Sequence, residues 1–251
     1  MFKDAVKLKL QYLFGNSRLG KFCGVRNWKG NGSMSEIKCF VFDAYGTLFD
    51  VHSAVARHSE LVGENAARVS EIWRNKQLEY SWTRAGMGKY RDFWQLTEDA
   101  LDFALAAVPG ANPEAKSALL DAYMSLDCYK EVPKVLAGLK ESGMRTGILS
   151  NGSPHMLQSA VRSAGLDTLI DAQLSVDAIG TFKTVPATYQ LVTDHFGVPA
   201  NQVSFQSSNR WDIAGAVKFG FHTVWINRTG QPDEYHDLPP ATVLGDLNGL
   251  T

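Results

Sequence analysis

The chain has 251 residues, 45% of them hydrophobic and 20% charged, with a net charge of −1. That is an ordinary soluble globular composition, long enough for one large domain or a domain carrying an insertion. No segment approaches the run of about 18 apolar residues that a membrane span needs. The three cysteines (Cys23, Cys39, Cys128) and six histidines form no disulfide framework, no zinc spacing and no H-E-x-x-H cluster, which argues against a histidine metal site and points to a reducing cytoplasm.

The charge is uneven. Residues 1–33 carry +6 and residues 34–251 carry −7. An acidic main body disfavours nucleic acid as a partner. The first 33 residues are rich in Gly and Asn and begin with a short basic amphipathic stretch, Phe2 to Leu10. Met34 then opens a conventional start, so residues 1–33 are expected to be an extension outside the fold. A targeting presequence is the alternative, with an apolar region too weak for secretion.

Residues 37–43 read as a buried β-strand ending in Asp43, followed by a Gly-containing turn. Nothing in an apolar strand needs an Asp at its tip for packing. Residues 52–130 then show helical patterns and no strand. Ser53–Val62 is a short helix candidate. In Ala66–Trp82, Val69, Ile72, Trp73, Lys76 and Tyr80 share one face. Residues 92–108 and 113–126 supply two more helices, the second opening on a cap-then-Pro signal at Asn112-Pro113. Such a stretch is too long for a loop and reads as a helical subdomain inserted after the first strand.

From residue 131 onward helices and short strands alternate. Helices are expected at Lys134–Ser142, Met156–Ala164, Ala187–Phe196 and Ile213–Phe219, each stopped by a Gly. Strands are expected at Thr146–Leu149, Ala172–Ser175, Val203–Phe205 and Thr223–Ile226. The pattern predicts an α/β fold, a doubly wound parallel sheet with residues 34–51 and 131–251 as core and 52–130 as cap. Polar residues gather at the strand ends: Asp43 and Thr47, then Ser150 and Asn151, then Lys183, then Ser207, Ser208, Asn209 and Asp212. In a parallel sheet these ends lie along one edge, so the residues converge.

Several stretches together resemble the haloacid dehalogenases of the L-2-haloacid type, within the superfamily that also contains phosphatases. They are F-D-A-Y-G-T-L-F-D-V-H-S, W-R-N-K-Q-L-E-Y-S-W, I-L-S-N-G-S-P, L-S-V-D-A-I-G-T-F-K, S-S-N-R-W-D-I-A-G-A-V-K-F-G-F and W-I-N-R-T-G. They cover about residues 36–230 in the family's order. The resemblance implies a Rossmann-like core with a helical cap and hydrolysis of (S)-2-haloalkanoic acids to (R)-2-hydroxyalkanoic acids and halide. Asp43 would be the nucleophile, desolvated and aligned behind the C–halogen bond. Arg74 and Asn151 would receive the halide. Ser150, with the N–H groups of Ala44 and Tyr45, would hold the substrate carboxylate, and Thr47 would fix the Asp43 rotamer.

Lys183 would keep Asp43 ionised with support from Tyr189, although the family's usual Lys-Pro-Asp is here Lys183-Thr184-Val185. Asp212 would position or deprotonate the hydrolytic water, with Ser207 and Asn209 completing the network. Asn75, Leu78, Phe93 and Trp211 are further substrate-contact candidates, core packing being the competing reading for the last three. Arg210, where the family commonly has a small residue, is expected to face solvent. Tyr45 stands where the phosphatases resemble a second Asp, and Ser207-Ser208-Asn209 stands where they pair acids for Mg²⁺. Two independent losses of metal ligands imply chemistry without a metal or other cofactor. The rivals are an Mg²⁺-dependent phosphatase, a hydrolase opening a strained C–N ring such as azetidine-2-carboxylate, and a catalytically silent binding protein. A homodimer is expected by analogy with the family.

Overall fold

The structure, a computed structural model, describes residues 36–250. Residues 1–33, read above as an extension, lie outside the described residues. Six strands form one parallel sheet: β1 (Cys39–Phe42), β2 (Arg145–Ser150), β3 (Ala172–Ser175), β4 (Val203–Ser207), β5 (His222–Ile226) and β6 (Thr242–Leu244), in the order β3-β2-β1-β4-β5-β6. The central strands are buried along nearly their whole length, as parallel strands covered on both faces must be. Helices α6 (Val132–Glu141), α7 (Pro154–Ser163), α8 (Pro186–Phe196) and α9 (Arg210–Phe219) alternate with the strands. The fold is therefore α/β, as expected.

Chain order in the sheet reverses at β1. The switch falls between β1 and β4, the place at which open α/β sheets bind ligands. Phe42 pairs with Ile148 on one side and Gln206 on the other. Asp43, one residue on, donates its N–H to Gln206 O at 2.9 Å, so its position is set by the sheet.

Between β1 and β2 lie α1 (Ser53–Arg57), α2 (Ser59–Val62), α3 (Ala66–Met87), α4 (Phe93–Ala107) and α5 (Lys116–Tyr123). Helix α3 runs five residues beyond the apolar periodicity, through a segment in which Arg84, Ala85 and Met87 favour helix but no apolar face continues. It ends where Gly88 adopts φ 63°, a left-handed conformation that glycine takes without a Cβ clash. Helix α3 packs chiefly on α4. The chain leaves the sheet and returns to it through two linkers zipped side by side. Asp50 N–H donates to Asp127 O at 2.8 Å, Tyr129 N–H donates to Leu48 O at 3.0 Å, and Phe49 and Cys128 form an antiparallel bridge.

Strand β6 is absent from the sequence reading. Its three residues sit at the sheet edge and none is fully buried, so no apolar run marks it. No helix among the described residues is long and apolar enough to cross a membrane.

Candidate active site

The turn after β1 is built on one carbonyl. Ala44 O accepts the N–H groups of Thr47, Leu48 and Phe49, and Gly46, at φ 94°, donates to Phe49 O at 2.7 Å. The Ala44 and Tyr45 N–H groups take no part in these main-chain bonds. Two neighbouring donors thus sit unused directly after Asp43, the arrangement that binds an anion.

Asp43 is 5% exposed and both carboxylate oxygens are held. Oδ2 accepts from Thr47 Oγ1 at 3.0 Å and from Asn209 Nδ2 at 2.8 Å, and Oδ1 accepts from Lys183 Nζ at 3.0 Å. The Thr47 hydroxyl accepts Ser208 N–H at 2.8 Å, so its direction is fixed from both ends. Lys183 is fully buried and also donates to Asp212 Oδ2 at 2.8 Å. Asp212, fully buried as well, accepts the Tyr189 hydroxyl on Oδ1 at 2.8 Å. One ammonium therefore lies between two carboxylates. Burial alone would lower the Lys183 pKa, but Asp212 and Asp43 together outweigh it and hold the ammonium above its ordinary value. Burial pushes the Asp212 carboxyl up to about 6 against the pull of Lys183, with Asp43 adding to the rise. Burial and the neighbouring Asp212 raise the Tyr189 hydroxyl well above its usual value, so it stays a donor.

The other strand ends close the ring. Ser150 is buried and its Oγ accepts Gly152 N–H at 3.1 Å. Asn151 Oδ1 accepts Lys183 N–H at 3.0 Å, which ties the loop carrying the lysine to the end of β2 and leaves the Asn151 amide NH₂ as a donor. Ser207 Oγ accepts Asn209 N–H at 3.1 Å. The departure at Thr184-Val185 has not displaced Lys183 from the carboxylates.

From the helices between β1 and β2, Arg74 on α3 reaches down. It is half-buried, and its Nη2 donates to Tyr45 O at 3.2 Å and to Asn209 Oδ1 at 3.5 Å. Beside it the Tyr45 ring is stacked on Tyr123 at 5.6 Å and tilted against Phe93 at 6.4 Å. Burial drives the Tyr45 hydroxyl pKa well above its ordinary value. Gly152 permits this packing, since a Cβ there would lie 2.7 Å from the Tyr45 ring. Phe93 also meets Phe182 at 6.2 Å. These rings form an apolar wall over a polar floor, the usual make-up of a small-ligand site.

The remaining candidates fall elsewhere. Asn75 is exposed and Leu78 half-buried, with no polar contact linking Asn75 to the cluster. Trp211 meets Trp82 edge to face at 5.4 Å and lines a separate cavity of about 720 Å³, shared with Lys183, Thr184, Val185 and Tyr235. Arg210 is a correction. It does not face solvent but is 4% exposed. Its Nε donates to Asp233 at 2.6 Å, its Nη2 donates to Tyr235 O at 3.1 Å and to Leu238 O at 3.0 Å, and Trp225 and Tyr235 flank it. Its partners lie in the loop after β5, which carries no pattern that would pair it with residue 210.

Two contributors were missed. Tyr123 supports Tyr45 from α5, and its only sequence signal is an aromatic at the end of a helix. Ser175 donates to Gly152 O at 2.7 Å and steadies the Ser150–Gly152 turn; its signal was a polar residue at a strand end. Among the described residues no group of three His, Cys, Asp or Glu is arranged to hold a metal ion. The positive charge beside Asp43 and Asp212 is the Lys183 ammonium.

A family model described as haloacid dehalogenase-like hydrolase matches residues 37–220. The chain belongs to this family of hydrolases. It is 47% identical to (S)-2-haloacid dehalogenase 4A of Burkholderia cepacia over 218 residues, which cover 86% of this chain and 94% of that one. A solved dehalogenase structure with an intermediate complex matches with a TM-score of 0.84 at 46% identity, over 86% of this chain and 96% of that one. An L-2-haloacid dehalogenase from Xanthobacter autotrophicus, solved with chloropropionic acid covalently bound, matches with a TM-score of 0.79 at 36% identity, over 85% of this chain and 96% of that one.

Proposed function

We propose that this chain is a hydrolase of carbon–halogen bonds that converts (S)-2-haloalkanoic acids to (R)-2-hydroxyalkanoic acids and halide through an ester on Asp43. The observation that carries the reading is the Asp43 carboxylate itself. It is stripped of water, held by Lys183, Thr47 and Asn209, and followed two residues later by an apolar ring instead of an acid.

The steps follow from the contacts. The substrate carboxylate lies against Ser150 and the Ala44 and Tyr45 N–H groups, and its alkyl side lies along Tyr45 and Phe93. An Asp43 oxygen attacks C2 from the face opposite the halogen. The C–halogen bond breaks with its electron pair, the halide leaves toward Arg74 and the Asn151 amide, and C2 inverts. No proton is needed, because halide is a stable anion. Water then adds to the Asp43 carbonyl carbon, the carbon–oxygen bond to the enzyme breaks, and hydroxyacid and one proton are released as the carboxylate returns. Both Asp212 oxygens are engaged and the residue has no exposed surface, which supports a role in holding Lys183 over one as the base for this water.

Residues 52–130 are taken as a cap that swings on its two linkers over the core formed by 34–51 and 131–251. Exposed Leu61 and Phe103 on that cap suit the expected homodimer, which light scattering would test. The free thiols of Cys39 and Cys128 suit a reducing cytoplasm.

The test is a single turnover in H₂¹⁸O with enzyme in excess over (S)-2-chloropropionate. Unlabelled hydroxyacid is expected, since its new oxygen comes first from Asp43. Labelled product would mean direct attack by water and would end the ester mechanism. Halide release undiminished by EDTA, without turnover of phosphate monoesters or azetidine-2-carboxylate, separates this reading from its two enzymatic rivals.

A further inference from the structure

Arg228 lies two residues past β5 and touches none of the groups assigned to substrate. Its guanidinium reaches three places at once. Nη2 donates to Thr47 O at 2.8 Å, Nη1 pairs with Glu131 Oε1 at 2.7 Å, and the group lies 3.7 Å from the centre of the Tyr129 ring. The ion pair is nearly buried, its side chains 14% and 12% exposed. Thr47 belongs to the loop that holds Asp43. Tyr129 and Glu131 belong to the linker that returns from the helical segment, beside its outgoing partner. One planar side chain therefore bridges the nucleophile loop and the joint between the two parts of the fold.

Desolvating a charge pair is costly, and an apolar residue of similar volume would hold a loop at least as well. A forked cation is needed only where several acceptors must keep a fixed spacing. Here the acceptor that matters is Thr47 O, because the hydroxyl of the same residue orients Asp43 Oδ2 and is itself oriented by Ser208 N–H. A shift of the Thr47 main chain breaks that chain of bonds and turns the carboxylate.

We propose that Arg228 is a positioning residue for the nucleophile: it registers the Thr47 carbonyl against the Tyr129–Glu131 linker, so that Asp43 is aligned for attack when the two linkers are zipped. The proposal rests on the reading of Asp43 as nucleophile. Because Arg228 does not reach the cleft, its loss acts on the chemical step and leaves substrate binding nearly unchanged.

The test is a double-mutant cycle on steady-state halide release from (S)-2-chloropropionate, with thermal melting of every variant. Arg228→Gln is expected to lower kcat about tenfold or more with KM within about twofold, since small misplacements of a reacting group are enough for losses of this size. In a Thr47→Val background the same change is expected to lower kcat by less than about twofold, because the bond it acts through is already gone. Multiplicative losses in the cycle, or a change in KM alone, overturn the proposal. If Arg228→Gln does not fold, Arg228→Lys, which keeps the charge and loses the fork, is carried through the same cycle against the same criteria. A wild-type chain that releases no halide overturns the dehalogenase reading itself. An active wild type matched in kcat by Arg228→Gln overturns only the role of Arg228.

Discussion

On the core side of the cleft Asp43, Lys183 and Asp212 are almost wholly buried, and each has contacts of 2.8–3.0 Å with charged partners. On the side of the inserted helices Arg74 is half-buried, and its contacts with Tyr45 O and Asn209 Oδ1 are 3.2 and 3.5 Å long. The difference has a structural origin. Asp43 follows a strand paired on both sides, and the buried Lys183 bonds both it and Asp212 on α9, whereas Arg74 projects from a helix joined to the sheet by two linkers. In the proposed mechanism the charges aligned before substrate arrives are those locked to one another on the core, and the charge that would receive the leaving anion is the one held by longer contacts.

The largest way to break this contrast is on the core side. Asp43→Asn is expected to lower halide release by ~10⁴-fold or more while leaving the melting temperature close to wild type, because removing a group that acts as part of a unit abolishes the covalent route. Steady-state halide assay and calorimetry check it. Unchanged release would sink the whole mechanism.

Lys183→Met is next. It leaves two buried carboxylates sharing no cation, which is expected to cost about 3–5 kcal/mol of stability in urea unfolding as well as most of the activity. The pH dependence carries a sign. An amine whose folded pKa is raised above its unfolded value of about 10.4 stabilises the fold below that value and loses the contribution as pH rises through the folded pKa. Wild-type stability should therefore fall more steeply above about pH 10 than that of Lys183→Met.

Arg74→Gln probes the other side. Loss of one donor to a developing anion is expected to cost about 10²–10³ in kcat. A half-buried side chain with long contacts should change stability by no more than about 0.5 kcal/mol. A large stability loss would mean that the helical side is as rigidly built as the core.

The Asp212 carboxyl, pushed up to about 6, sharpens the comparison further. Below that pH it takes a proton and loosens its hold on Lys183, so kcat is expected to fall about tenfold per unit on the acid limb. Asp212→Asn, measured over the same range, should lack that limb. Since the folded pKa lies above the unfolded one, the protonated Asp212 contributes stability that is fully present below about pH 3.9 and is lost as pH rises through about 6. The smallest expected effect on activity lies away from the cluster. Trp211→Ala removes the edge-to-face contact with Trp82, worth about 0.5–1.5 kcal/mol of stability, and should leave KM and kcat close to wild type because Trp211 lines a separate cavity.

Much of the polar floor was legible because strand ends in a parallel sheet share one edge. Asp43, Ser150, Lys183 and Asp212 are read as strand-end polar residues, and the structure brings them together. The helices were legible wherever one face was apolar, and the end of α3 was lost where that face stopped. Strand β6 was illegible because an edge strand needs no buried run. The burial of Arg210 and the reach of Arg228 were illegible for a different reason. Both depend on partners far along the chain, in loops with no periodicity, and a lone arginine next to a Trp or after a strand is most often solvated.

The order of the first five strands and their helices, the place of the carboxylate at the tip of β1, and the absence of an acid at Tyr45 were determined by the sequence alone, because periodicity and residue chemistry are local. The tertiary structure decided which charges share a partner: that one buried ammonium serves both Asp43 and Asp212, and that Trp211 packs against Trp82 instead of joining the Tyr45–Phe93 rings. It also joined Thr47 through Arg228 to the linker at Glu131. Those are questions of distance between residues from about thirty to more than a hundred positions apart, and only the packing of the chain answers them.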